Sequence, residues 1–273
     1  MKQRFNTLDL QVALHELSVC FSGCRVTNVY DINNKTYLIK LHKPDSKAIV
    51  LIESGIRIHC TDFDWPKNMI PSGFSMKLRK HLRSRRLEKV SQVGVDRIAD
   101  LQFGSGEAAY HLIVELYDKG NILLTDYEFT IISVLRPRTD ENSDVKFTVR
   151  EKYPFHLAKQ NEKLTLEKVK ELICDAKQNE DLKKILTFNL SYGAPLIEHC
   201  LSIGDFPDKC IIDKNFNRDD DIEKLFNALL LGEKIIEELK TEIHPGFIVT
   251  KITKAIKLEL EKNKELENEE LVT

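Results

Sequence analysis

Apolar residues recur at helical spacing from Thr7 to about Phe21, where Leu8, Val12, Leu14, Leu17 and Phe21 mark one stripe, and this predicts a first helix. Asn6 followed three residues later by Asp9 is a capping pattern at its start. Four segments rich in branched and aromatic residues come next: RVTNVYDI, TYLIKL, AIVLIES and IRIHC. Turn signals at Asn33-Asn34 and Ser54-Gly55 separate them, so they predict an antiparallel meander. In DWPKNMIPSG two prolines stop regular structure, and a helix is expected from about Phe74 to Arg86. Four further strands are then expected at VGVDRIADLQFG, AAYHLIVELY, GNILLTD and TIISVLRP, with DKGN as a hairpin turn.

The pattern changes at KYPFHLAKQNEK. Beyond it TLEKVKELICDAK, DLKKILTFNL, GAPLIEHCLSI and DIEKLFNALLLGEKIIEEL predict helices, the first with Thr165 as N-cap and Lys168 at the third helical position. The fold class is therefore α+β: an antiparallel, β-rich domain over 1–155, then a helical module over 162–241. Gly193 provides a small-residue turn between two of these helices. Such a turn is either an ordinary connection or a helix-hairpin-helix unit whose backbone amides approach a phosphate. In residues 242–273, HPGFIVTKITK is expected to return as a strand and LELEKNKELENEELVT to form a charged tail.

Composition excludes more than it identifies. The 273 residues carry 41 Lys and Arg against 43 Asp and Glu, so net charge gives no global sign of nucleic acid. Locally the balance breaks. SMKLRKHLRSRR places Lys77, Arg79, Lys80, Arg83, Arg85 and Arg86 beside His81 with no acid from Ser75 to Arg86, while Leu78, Leu82 and Leu87 supply a docking seam. A solvated helix face usually mixes charge signs, so these six basic residues are expected to bind RNA phosphates. Arg136 and Arg138, at the end of a strand, could add a phosphate contact. The six cysteines form no CxxC pair or zinc-finger spacing, and no signal peptide precedes them, which fits a reduced, intracellular setting. Apolar runs are too short to span a bilayer, so no membrane is expected as a partner.

The stretch VGVDRIADLQFG breaks its own pattern. Read in alternation, Arg97 shares a face with Val93, Val95, Ala99, Leu101 and Phe103, and Asp96 points to the other side. A guanidinium on an apolar face requires a carboxylate, carbonyls or a ligand. Asp9, by contrast, is explained by capping and by the helix dipole. No GxSxG, HExxH, GxxxxGK[ST] or GxGxxG occurs, the histidines are scattered, and no catalytic residue, metal or cofactor is expected.

Five long segments, MKQRFNTLDLQVALHEL, GCRVTNVYDINNKTYLIKL, LIESGIRIHCTDFDWPKNMIPSGFSMKLRKHLRSRRL, VGVDRIADLQFG and HLIVELYDKGNILLTD, closely resemble the N-terminal region of the NFACT family. The resemblance extends over essentially the whole chain. It implies a first domain similar to the N-terminal domain of formamidopyrimidine-DNA glycosylases, followed by a helix-hairpin-helix module. Glycosylase chemistry is not implied, because the N-terminal proline nucleophile is missing from Met1-Lys2-Gln3. The resemblance instead implies a non-catalytic ribosome quality control factor. Such a factor binds the large ribosomal subunit with stranded peptidyl-tRNA, recruits charged tRNA for untemplated, alanine-type C-terminal tailing, and supports the Listerin ubiquitin ligase. The implied location is cytoplasmic, with the nucleus as a second site. Asp9, Asp96 and Arg97 fall on the family's residues required for tailing. Family members continue past this C-terminus, so a fragment is expected. A DNA-repair glycosylase relative and a nuclear export adaptor are the competing readings.

Overall fold

The computed structural model describes residues 3–44, 46–140, 145–159 and 163–243. Helix α1 (Thr7–Phe21) precedes a four-stranded antiparallel sheet, β1 (Arg25–Asp31), β2 (Thr36–Lys43), β3 (Ser46–Glu53) and β4 (Arg57–Cys60), in sequential order. Helix α2 (Gly73–Leu82) leads into a second, five-stranded antiparallel sheet. Its strands are β5 (Leu87–Gln92), β6 (Ile98–Phe103), β7 (Tyr110–Glu115), β8 (Asn121–Asp126) and β9 (Ile131–Val134). The expected mixed α+β class with antiparallel sheets is what forms.

The inner faces of the two sheets share one core with both helices. Tyr37, Ile39, Leu41, Val50 and Ile52 from the first sheet meet Leu101, Phe103, Leu112, Val114 and Leu124 from the second. Leu10, Leu14 and Leu17 of α1 and Leu78 and Leu82 of α2 complete it. Each such side chain contributes about 1.5–3 kcal/mol on full burial. The expected stripe on α1 is thus shifted, with Leu10 in this core and Leu8 packed instead against the helical cluster. The capping pattern is present in both directions: Asn6 Oδ1 accepts the Asp9 amide and Asp9 Oδ2 accepts the Asn6 amide, each at 2.8 Å.

The second sheet is buried on both sides. Ile98, Ile113, Leu123 and Ile131 on its outer face pack against Phe147, Tyr153 and Ala158. A two-stranded hairpin, β10 (Arg138–Asp140) and β11 (Val145–Phe147), supplies part of this cover and has no counterpart among the elements expected from the sequence. Strand β5 is a second addition, because Glu88 and Lys89 make LEKVSQ look polar. The sheets also meet where the Gly55 amide, in the β3–β4 turn, donates to the Glu115 carbonyl at 3.2 Å. A Cβ on Gly120 would lie 1.9 Å from the Gly55 nitrogen, which with φ of +68° requires glycine there.

The second cluster is helical: α3 (Leu166–Asp175), α4 (Leu182–Asn189), α5 (Ala194–Ile203) and α6 (Ile222–Thr241) surround Val169, Ile173, Leu186, Ile197, Leu225 and Leu229. Thr165 Oγ1 accepts the Lys168 amide at 3.2 Å, the cap expected at α3. Helix α1 joins the two clusters, since Gln11 Nε2 donates to the Ile236 carbonyl of α6 at 2.9 Å. The strand expected at HPGFIVTKITK and the charged tail after it lie outside the described residues. Among the described residues no helix is long and apolar enough to cross a membrane.

Candidate nucleic-acid interface

Asp96 and Arg97 stand in the turn between β5 and β6, one step before the strand begins. This corrects the alternation reading, which carries the strand back to Val93. The Val93 amide donates to the Ile98 carbonyl at 2.9 Å, closing the turn, and Gly94 takes φ of +58°. Val95 then donates to the Lys159 carbonyl at 2.9 Å, and a Cβ on Gly94 would sit 2.2 Å from that same oxygen. Because Ile98 and Ala99 are both buried on opposite faces, alternation cannot locate Arg97.

Within the turn the two side chains do different things. Asp96 Oδ1 accepts the Arg97 amide at 2.7 Å, and Gln92 Nε2 donates to the Asp96 carbonyl at 2.7 Å. The Arg97 carbonyl accepts the Leu116 amide at 2.8 Å, so its backbone is fixed. The guanidinium itself is partly exposed and makes no hydrogen bond or ion pair among the described residues.

Asp96 lines a cavity of about 540 Å³ with Tyr117, Arg138, Thr139, Phe147 and Tyr153. Its inner wall is a buried polar network. Glu115 is completely buried and accepts from Tyr153 Oη at 3.0 Å and Arg138 Nη2 at 3.1 Å. Burial raises the Glu115 pKa, and the Arg138 charge opposes that rise. Arg138 also donates to Tyr117 Oη at 2.9 Å and covers the Phe147 ring at 4.3 Å, while its Nε is buried without a partner among the described residues. Arg136 donates to Ser54 Oγ at 2.8 Å and to the Gly120 carbonyl at 3.2 Å. Both arginines are thus engaged by partners within the fold.

Asp9 lies elsewhere, lining a shallow cavity of about 380 Å³ with Phe5, Glu16, His59 and Leu239. Gln11 of α1 shares a cleft of about 410 Å³ with Gly94, Val95, Lys159 and residues 188–192, at the end of α4 and in the connection to α5. Phe188 lines that cleft while 83 % exposed.

The basic segment is divided by its own geometry. Helix α2 ends at Leu82, short of the expected Arg86, because Ser84 adopts φ of +66° and the chain reverses into β5. Lys77 and Lys80 remain on the exposed face of α2, and Arg83 and Arg86 lie at the surface beyond it. Arg79 instead turns inward, with Nε on the Val29 carbonyl at 2.6 Å and the guanidinium 5.4 Å from the Tyr30 ring. Arg85 donates to the Ala108 carbonyl at 2.6 Å and covers Tyr110 at 5.0 Å. His81 is held below its ordinary pKa by burial and by Lys80 and Arg85, so it is neutral near pH 7.

Reversal at Ser84 also brings in cations that the linear sequence separates. Arg25 and Arg86 form an isolated antiparallel bridge, and a groove of about 590 Å³ is lined by Arg25, His42, Lys43, Arg83 and Arg86, with no acid in its lining among the described residues. Glu88, 3.9 Å from Arg86 Nε, stands outside this lining. Arg25 Nη1 donates to the Ser84 carbonyl at 2.9 Å, and Lys43 Nζ to the Cys20 carbonyl at 3.2 Å. Sequence reasoning leaves Arg25 at a strand start and Lys43 beyond a strand end, since nothing local ties them to Arg86. A concave, basic surface of this kind suits a phosphodiester backbone.

A family model described as NFACT N-terminal and middle domains matches residues 6–271. The chain is 52 % identical to ribosome quality control complex subunit NEMF of Homo sapiens over 269 residues, covering 98 % of this chain and 25 % of that protein. It is 53 % identical to the NEMF homolog of Drosophila melanogaster over 204 residues, 74 % of this chain and 20 % of that protein. The chain thus spans a quarter or less of these relatives' length. Among solved structures, the fibrinogen binding protein from Staphylococcus aureus aligns with a TM-score of 0.59 at 18 % identity, covering 86 % of this chain and 82 % of that one. At that identity the likeness is one of fold.

Proposed function

The chain belongs to the NFACT family, and from that premise we propose that it is a non-catalytic RNA-binding part of a ribosome quality control factor. On this reading it engages the large ribosomal subunit carrying a stranded peptidyl-tRNA, in the cytoplasm and also the nucleus. It recruits charged tRNA for alanine-type C-terminal tailing and supports Listerin-dependent ubiquitination of the nascent chain. The observation that carries the proposal is the groove in which Arg25, His42, Lys43, Arg83 and Arg86 converge, continuous in sequence with exposed Lys77 and Lys80.

The geometry supports a division of labour. The basic groove binds phosphates without regard to sequence, and the Asp96–Arg97 turn supplies a single directed cation beside a carboxylate. Asp9 acts from the start of α1. Gly193, at φ of +77° between α4 and α5, supports the helix-hairpin-helix reading, and the pairing of sheets with a helical module supports the glycosylase-like first domain. No strand-cleavage chemistry is proposed.

Sedimentation with purified large subunits tests the reading. The chain should pellet with subunits bearing peptidyl-tRNA and be released as salt rises. Equal pelleting of a variant with Arg25, Arg83 and Arg86 changed to Glu would reject it.

A further inference from the structure

The two most exposed large apolar side chains among the described residues are adjacent: Met69 at 100 % and Ile70 at 85 %. They sit between β4 and α2, and their exposure is built rather than incidental. Asp31, at the end of β1 and only 4 % exposed, holds both flanks of the pair. Asn68 Nδ2 donates to Asp31 Oδ2 at 2.9 Å, and the Asn68 amide donates to the Asp31 carbonyl at 3.0 Å. On the far side the Ser72 amide donates to Asp31 Oδ1 at 3.1 Å. Pro71 restricts the backbone between. A buried carboxylate therefore clamps a loop whose tip presents two apolar side chains to water.

The surrounding charge indicates the partner. From Lys67 to Arg86 the chain contains seven basic residues and no acid. Lys67, which also pairs with Asp64 at 2.8 Å, lies 5.8 Å from the Tyr30 ring that Arg79 covers from 5.4 Å. Two neighbouring side chains are far too small for a protein interface, which buries about 800 Å² on each partner. They match an apolar wedge entering one base step, flanked by cations for the phosphates on either side.

We propose that Met69 and Ile70 form a wedge that inserts at an unstacked base step of RNA whose backbone lies along α2. This rests on the RNA-binding reading and adds a base-level contact to it.

The test uses the full chain with two probes: an RNA hairpin carrying 2-aminopurine in an unpaired loop, and a fully paired RNA duplex of equal length. Wild type should bind the hairpin more tightly and raise 2-aminopurine fluorescence as the base unstacks. Met69→Ala with Ile70→Ala should lose about tenfold in hairpin affinity and the fluorescence rise, with duplex affinity and salt slope unchanged. Met69→Leu with Ile70→Val should restore both. Unchanged hairpin binding by the double alanine variant overturns the wedge while leaving RNA binding intact, and would point to a protein partner for the tip. Equal losses on hairpin and duplex, or a flatter salt slope, also overturn it. If wild type binds neither RNA, the RNA-binding reading itself fails, and the wedge fails with it.

Discussion

Asp96 Oδ1 accepts the backbone N–H of Arg97 at 2.7 Å, so one member of the pair fixes the turn from which the other extends. Their substitutions should therefore separate. Arg97→Ala should leave the melting temperature within about 1 °C of wild type, since the guanidinium has no partner among the described residues. It should still abolish tailing in a reconstituted assay. Asp96→Ala should cost about 1 kcal/mol by removing a charge-assisted acceptor, whereas Asp96→Asn keeps an acceptor and should recover most of that stability. Thermal melts of the three variants beside tailing yields decide the point. A common loss of fold and function would make the pair structural.

The six basic residues of the α2 segment should fall into two groups. Removing the exposed Lys77, Lys80, Arg83 and Arg86 should flatten the dependence of log affinity on log salt by about 0.7–0.9 for each phosphate that is no longer neutralised. Arg79→Ala and Arg85→Ala should mainly lower stability, by about 1–2 kcal/mol, because each strips a donor from a carbonyl and a cation from an aromatic ring. Salt titrations of RNA binding, read beside urea unfolding, distinguish the groups.

Asp31 should give the loop before α2 an acid-sensitive component. Burial raises its pKa, but hydrogen bonds from Asn68, Ser72 and Ser75 outweigh that and set it below the ordinary 3.8. The folded state thus favours the ionised form. Its stabilisation is complete above the unfolded pKa and is lost as pH falls through the lower folded value, below about pH 4. Asp31→Asn should lose about 1–3 kcal/mol at pH 7 and less at pH 3. Urea midpoints at the two pH values measure the difference, and an equal loss at both would rule out the carboxylate as the clamp.

Gly94 should tolerate no side chain. Alanine there meets the Lys159 carbonyl at 2.2 Å in a backbone conformation that already disfavours it. Gly94→Ala should destabilise by about 2–3 kcal/mol and displace the Asp96–Arg97 turn. Loss of slow hydrogen exchange at the Val95 amide, which donates to Lys159 in the native chain, would report the displacement.

How far the sequence can be read depends on which signals are local. The capping of α1 by Asn6 and Asp9, the first meander and the Thr165 cap are short-range devices and are legible. The second sheet is harder, because both faces are buried and period-two alternation carries no information about register. That is why alternation puts Arg97 on a strand it precedes. The basic residues are visible as a cluster, but only the reversal at Ser84 reveals that Arg79 and Arg85 face inward while Arg25 and Lys43 join Arg83 and Arg86. Pairings made across some sixty residues, such as Arg25 with Arg86, leave no periodic trace.

Cryo-electron microscopy of the chain on large ribosomal subunits bearing peptidyl-tRNA tests the central claim most directly. RNA backbone density in the groove of Arg25, Arg83 and Arg86, together with tRNA density at Arg97, is the predicted result. A complex in which that groove and that turn both face solvent or protein would contradict it.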